Sequence, residues 1–356
     1  MSAVANSRIR LPAVSVVIAA FADDRWNQLG DAIQSVRSQT APVLEMVVVI
    51  DHNPGLLARA RREFTDCTVI ANTGARGASG ARNAGAAACQ GEIIAFLDDD
   101  ARSSEHWLAA LLCHFSRADI VGVGGRIDPL WSVSRPRWFP VEFGWAVGFS
   151  YQGMPEQTQP VRNVWAGNMA IRSSVFAATG GFREDFGKVS DVARPEDTDL
   201  CLRAASERGV WLYEPTGNVG HWIPRQRATF RYFTRRCCHE GQGKAALAAL
   251  DGAWESTAAE RNYTYRILPS GVLRGLRDAA GGDVWGAARA ASIAVGFATT
   301  AAGFAAGWLS ATGLPLLGRL HRHSARVIGP ADRAPAQKST QAAKRAVIAS
   351  APVRVP

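Results

Sequence analysis

The sequence predicts an α/β protein: a Rossmann-like, mainly parallel sheet with flanking helices, plus a helical C-terminal extension. Three observations carry this. Short strands rich in β-branched residues alternate with stretches of helical periodicity through the first 125 residues. The strands are continuous apolar runs, as in a sheet covered on both faces. Two acidic positions, Asp51 and Asp98, follow strands directly, at the carboxyl edge where such sheets bind ligands.

The elements follow in order. Val14 to Ala20 reads as a buried strand, and Trp26 to Ser38 as a helix with Trp26, Leu29, Ile33 and Val36 on one face. Val43 to Ile50 is a second strand, Leu56 to Phe64 a helix and Cys67 to Ala71 a third strand. Ser79 to Cys89 is an alanine-rich helix. Ile93 to Leu97 is a fourth strand that ends on three aspartates. Ser104 to Phe115 is predicted helical and Ile120 to Gly125 extended. From Pro129 the pattern breaks, and Trp131, Trp138, Trp145 and Trp165 stand among Pro and Gly, as in an irregular region covering a site. Helix is expected again at Thr198 to Glu207 and at Phe230 to Leu250.

The chain has 356 residues, room for a large core, and its 47% hydrophobic and 20% charged residues exclude a largely disordered protein. Six cysteines occur without a C-x-x-C pair, which favours reduced thiols over a disulfide framework. The net charge of +9 is concentrated at the end: from Arg319 onward eight Lys/Arg face one acid, Asp332. The body is near neutral, so a nucleic-acid surface is not indicated. The first apolar run, Val14 to Ala20, is too short for a signal peptide, and a cytoplasmic catalytic part is expected.

Between Arg289 and Arg319 lie 29 residues without a charge. As a helix they would measure about 43 Å at 1.5 Å per residue. Ala and Gly dominate, and strongly apolar residues are few, so insertion into lipid would be weakly driven. Gly303-x-x-x-Gly307 suits a close helix–helix contact. A membrane span, an interfacial helix and a packing helix all stay open. The basic tail would favour an anionic cytoplasmic leaflet, and Pro330 to Pro356 is expected to be disordered.

The sharpest chemical signal is Phe96-Leu97-Asp98-Asp99-Asp100. Carboxylates at i and i+2 past a strand can turn toward one cation, and hard oxygen donors suit Mg²⁺ or Mn²⁺. Such an ion can neutralise a leaving diphosphate. The competing reading is a helix N-cap, since Ser103 and Ser104 follow. Upstream, the loop Asn72 to Gly85 combines glycines that allow close backbone approach with Arg76 and Arg82, which can pair with phosphate. It is neither a Walker loop nor a dinucleotide fingerprint. Downstream, Pro195-Glu196-Asp197-Thr198-Asp199-Leu200 offers either helix capping or a carboxylate base for an acceptor hydroxyl. His221 is either a structural histidine or a neutral nitrogen ligand that completes a metal site begun by aspartates.

Together these segments resemble the family 2 glycosyltransferases of the GT-A fold, from about Val14 to Ala246. Four segments carry the likeness in order: Val14 to Ala20; Gly77 through Ala81-Arg82-Asn83-Ala84-Gly85 to Gly91-Glu92 and Asp98-Asp99-Asp100; Gly167 to Arg172 with Gly180 to Glu184; and Pro195 to Leu200 with Arg203. The resemblance implies a nucleotide-sugar half over 12–128, an acceptor half over 129–225, a helical extension over 226–288, the apolar helix over 289–319 and the basic tail over 320–356. It implies that Asp51 contacts the nucleotide base, that Arg82, Asp98, Asp99 and Arg236 serve the donor, and that Asp98, Asp100 and His221 hold Mn²⁺ or Mg²⁺. Arg235 and Arg236 would face the diphosphate or, equally, form a solvated helix face. Trp165, Gly167 and Asn168 would meet the acceptor. Asp197 would be the general base, with Glu196 beside it.

The implied reaction is inverting transfer from a nucleoside-diphosphate sugar, UDP-sugar favoured, to a glycan or lipid-linked hydroxyl, in cell-envelope or exopolysaccharide synthesis. The inner membrane surface is a candidate partner. Two departures, Ala20-Phe21 and Asp51-His52-Asn53, leave the base identity open. No Q-x-x-R-W occurs, which argues for single addition. The rival readings are a nucleotidyltransferase and a non-catalytic membrane-associated binding protein derived from the same fold.

Overall fold

The computed structural model describes residues 11–189, 192–205, 209–251 and 258–311; the basic tail at 320–356 and the end of the apolar stretch lie outside them. The strands are β1 (Val14–Ala20), β2 (Glu45–Asp51), β3 (Thr68–Asn72), β4 (Ile93–Asp98), β5 (Ala101–Ser103), β6 (Ile120–Trp131), β7 (Gln159–Val161), β8 (Asn168–Arg172), β9 (Gly187–Val189), β10 (Val192–Arg194) and β11 (Val210–Ile223). The helices are α1 (Trp26–Arg37), α2 (Pro54–Glu63), α3 (Ala78–Ala88), α4 (Trp107–Leu112), α5 (Ser173–Thr179), α6 (Glu196–Ala204), α7 (Phe230–Asp251), α8 (Ala258–Asn262), α9 (Leu268–Ala280) and α10 (Trp285–Ala311).

The main sheet runs β3-β2-β1-β4-β8-β6-β11-β5, with β7 also on β11. Its first four strands are parallel. Register places the ends of β2, β3 and β4 together: Asp51 pairs with Asn72, and Ala19 with Asp98. The loop acids of the sequence therefore share one edge. Alternation along each strand feeds two cores. Val16 and Ile18 face Leu29, Ile33 and Trp107, while Val17, Val49 and Phe96 face Phe176, Phe182 and Trp211. That double burial is why the strands read as unbroken apolar runs.

Several expectations change. The sheet is mixed beyond β4, because β8 inserts antiparallel between β4 and β6. The predicted strand at Ile120 extends to Trp131, and a 14-residue strand, β11, runs beside it. The helix expected from Ser104 begins only at Trp107, with no side-chain cap. The residues before it form β5, which pairs antiparallel with β11 and sets Ala101 opposite His221. The aspartate triplet thus leads into a strand, and the helix-cap reading of it falls. All six cysteines are free thiols, as expected.

Asn168 pins the mixed part of the sheet. Its Oδ1 accepts from Trp107 Nε1 at 2.7 Å, and its Nδ2 donates to the carbonyls of Arg126 and Gly217, each at 2.9 Å. The amide is fully buried, and both of its N–H donors are taken by backbone. These bonds give Asn168 a structural part beside the expected acceptor contact. Asn168→Ala leaves the indole N–H and two carbonyls unpaired in the core and is expected to cost about 2–4 kcal/mol, read by urea denaturation.

Candidate active site

Two charged clusters stand at the carboxyl edge. The first is built on Arg82, near the start of α3. Its Nη2 donates to Asp98 Oδ1 at 2.7 Å, and its Nη1 lies 3.5 Å from Glu196 Oε1. The guanidinium also sits 5.6 Å above the Phe182 ring. One buried cation thus joins the end of β4 to the start of α6, 114 residues on, since residue 196 follows residue 82 by that number. The Asp98 side chain is 38% exposed and open to a ligand, whereas Arg82 is 10% exposed. Gly167 lies against Asp98: a Cβ there would come 2.4 Å from Asp98 Oδ2, so only glycine leaves that carboxylate its place.

Asp197 follows Glu196 in the first turn of α6. Its Oδ1 accepts from the Thr198 N–H at 2.8 Å. Burial, reinforced by the negative charge of Glu196, raises its carboxyl to about 7, against the pull of Thr198 and Arg82. Asp199 is committed to Arg203 at 2.6 Å on the same helix. Arg236 pairs with Glu240 at 3.5 Å, and Glu240 adds to the upward pressure on Asp197. Arg236 therefore belongs to the Asp197 side. Trp165 is half-buried, its ring 6.4 Å from that of Tyr151.

The second cluster surrounds Asp99 and Asp100. The β5–β11 pairing carries the Trp222 N–H to the Asp100 carbonyl at 2.8 Å and brings His221 Nε2 within 3.4 Å of Asp100 Oδ1. Arg25, just past β1, reaches both acids: Nη1 is 2.9 Å from Asp99 Oδ1 and 3.0 Å from Asp100 Oδ2. Arg227 stands 3.3 Å from His221 Nε2 and 3.9 Å from Asp100 Oδ2. The two neighbours diverge in acidity. Burial and the Asp100 charge push Asp99 up to about 7. Burial would raise Asp100 too, but His221, Arg25 and Arg227 hold it down at about 2. Beside Asp100 opens a cleft of about 700 Å³ lined by Arg25, Trp222, Arg227, Arg231 and Arg235.

Asp100 and His221 suit a divalent cation. Both are buried, they offer oxygen and nitrogen donors at one point, and His221 Nδ1 and Asp99 Oδ2 lack hydrogen-bond partners. Among the described residues no three His, Cys, Asp or Glu side chains form a ready metal cage. Asp98, expected as a third ligand, is paired with Arg82 at 2.7 Å. A two-ligand half-site of this kind matches ions that take their other ligands from phosphates and water.

Asp51 ends β2 with its carboxylate among three partners. Its Oδ1 accepts from Asn72 Nδ2 at 2.6 Å and lies 2.9 Å from His52 Nδ1, and its Oδ2 accepts from the Gly77 N–H at 2.9 Å. Gly77 has φ 120°, a conformation that favours glycine. The carboxylate thus braces the glycine-rich loop. Sequence reading passed over Arg25 and Arg227. Arg25 had one signal, its place directly after the first strand; Arg227 had none until β11 was known.

The comparisons with known proteins fit this geometry. Residues 15–180 match the family described as Glycosyl transferase family 2. Over 243 residues the chain is 30% identical to a glucosyl-dolichyl phosphate glucuronosyltransferase of Haloferax volcanii, covering 67% of this chain and 78% of that protein. The chain belongs to glycosyltransferase family 2. This glycosyltransferase is also 31% identical over 186 residues to a pre-mycofactocin glycosyltransferase of Mycobacterium tuberculosis, 51% of this chain but only 37% of that one. A mannosyltransferase from Pyrobaculum calidifontis, solved with GDP-Man and Mn²⁺, superposes with a TM-score of 0.54 at 18% identity, over 86% of this chain and 79% of that one. The fold is GT-A. Family membership sets aside the nucleotidyltransferase and non-catalytic readings.

Proposed function

We propose that this glycosyltransferase moves a sugar from a nucleoside-diphosphate donor to a hydroxyl of a glycan or lipid-linked acceptor, with inversion at the anomeric carbon and with Mn²⁺ or Mg²⁺ at Asp100 and His221. Cell-envelope or exopolysaccharide synthesis is the setting, with a cytoplasmic catalytic domain at the membrane surface. The observation that carries the reading is the Arg82 bridge, which holds Asp98 and the Glu196–Asp197 pair in one frame. Asp98, still partly exposed, orients the donor. Asp197 accepts the proton of the attacking hydroxyl, and its raised pKa matches a base working near neutrality. Glu196, held by Arg82, positions the acceptor. Arg227 and Arg235 face the departing diphosphate from the cleft. When bound, the cation would offset the diphosphate's negative charge. UDP-sugars are the first donors to test; the Pyrobaculum neighbour was solved with GDP-Man and Mn²⁺.

The test is nucleoside-diphosphate release from a panel of sugar nucleotides with Mn²⁺, Mg²⁺ or EDTA. One donor turned over with metal and silenced by chelation is expected; full activity in EDTA overturns the metal assignment. A second prediction concerns Arg25, which neutralises Asp99 and Asp100. In Arg25→Ala the carboxylates lose that cation, and the donor-free protein should bind Mn²⁺ about tenfold more tightly, about 1.4 kcal/mol. Titration calorimetry without donor reads this; unchanged affinity would show that Arg25 does not compete for the site.

A further inference from the structure

Helix α10 is long and apolar enough to cross a bilayer, yet only 28% of its most apolar window is buried within the protein. Its inner side is already taken. A Cβ added at Gly303 would stand 2.1 Å from the Cys238 carbonyl of α7, and one at Gly241 of α7 would stand 2.0 Å from the Thr300 carbonyl. At Gly307 it would meet Gln242 and Ala245 at 3.0 Å. The Gly303-x-x-x-Gly307 seam is thus closed within the chain, backbone to backbone.

This packing decides between the modes the sequence left open. Over the stretch that touches α10, α7 carries Arg236, Glu240 and Lys244. If α10 crossed a bilayer, these charges would be carried to hydrocarbon depth, where each cationic residue is strongly disfavoured. The outward side of α10 has no such obstacle. Val295, Phe297, Ala301, Ala305 and Trp308 are exposed on it, Phe297 to 49%, with no charged residue from Ala290 to Ala311. The neighbouring α9 exposes Leu273 and Leu276, the latter to 53%, together with Arg277, and Arg266 is exposed in the turn just before it.

Charge points to the occupant. From Arg261 to Ala311 there are five arginines and two acids. Both acids, Asp278 and Asp283, are paired with Arg289. The sequence after Ala311 adds eight Lys/Arg against one acid. We propose that α9 and α10 lie flat in the headgroup layer of an anionic membrane, with α10 in the plane of the surface rather than across it. Apolar side chains beside arginines, with no unpaired acid, are what an interfacial helix presents to such a surface. This deepens the membrane part of the proposed function and does not depend on the donor.

The experiment is flotation of the full-length protein with vesicles of phosphatidylcholine, with and without phosphatidylglycerol. The protein should float with the anionic vesicles only and leave them in alkaline carbonate. Leu276→Glu with Phe297→Glu should weaken partitioning about tenfold or more per residue, while donor turnover in detergent stays that of the parent. Should that double variant misfold, Arg266→Glu with Arg277→Glu should lose the preference for anionic lipid. Retention through carbonate would mean a span and overturn the proposal. Failure to float would also overturn it, as would a dimer whose dissociation follows the Glu substitutions. Parent-like flotation of the double variant would overturn it as well.

Discussion

Asp197→Asn is expected to bind donor like the parent enzyme and to lose turnover by about 10²–10⁴-fold, the usual contribution of a general base. The same variant should be more stable above neutral pH. The Asp197 carboxyl is raised from 3.8 to about 7 by burial and by Glu196, so its charged form is disfavoured in the fold. A raised acid contributes nothing below the unfolded value. Between pH 4 and 7 the unfolded chain ionises first, and the fold loses stability as the pH rises. Asparagine removes that loss, so its gain in Tm is full above pH 7 and absent below about pH 4. In the parent enzyme kcat should fall as the pH drops through about 7, because the base must be deprotonated to accept a proton. Turnover and Tm curves measured from pH 4 to 9 decide the matter. An active variant, or a Tm gain largest in acid, contradicts the assignment.

Arg82→Met is expected to have the largest effect on stability. It removes the one cation shared by Asp98 and Glu196 and leaves Glu196, Asp197 and Asp98 as neighbouring acids. Breaking a buried pair from one side costs about 3–5 kcal/mol. Donor affinity should fall with it, since the surplus of negative charge repels a diphosphate. Arg82→Lys should restore part of the stability and little of the affinity, because an ammonium cannot span two carboxylates as a planar fork does. Chemical denaturation and donor titration measure both effects. Parent-like stability in Arg82→Met would mean that the bridge holds nothing together.

The parallel half of the sheet was legible because β1, β2 and β4 are buried on both faces, and double burial writes unbroken apolar runs into a sequence. The mixed half was not. β8 is five residues long and β5 three, too short for a periodic signal, and their pairing is settled by partners far along the chain. Asn168 shows the same limit. A glycine-flanked asparagine reads equally well as an acceptor contact or a buried pin, and only Trp107 and two distant carbonyls distinguish them. Asp51 and Asp98 end parallel strands of one sheet, yet one is buried bracing a loop while the other stays partly exposed beside Arg82.

By itself, the sequence determined the class of fold, the order of its first strands and the acids that gather at their carboxyl edge, since local periodicity and strand-end position are properties of neighbouring residues. Which cation faces which acid was decided in three dimensions. Arg25, Arg82 and Arg227 are separated in the chain from Asp99–Asp100, Glu196 and Asp100 respectively; the pairing of β1 with β4 brings the first within reach, the Arg82 side chain itself reaches the start of α6, and β5 on β11 brings the third. The same holds for α10. Its composition allowed a span, a surface helix or a packing helix, and the backbone contact of Gly303 with α7 is what argues for the proposed surface position, because a helix fastened to charged neighbours enters lipid only with them.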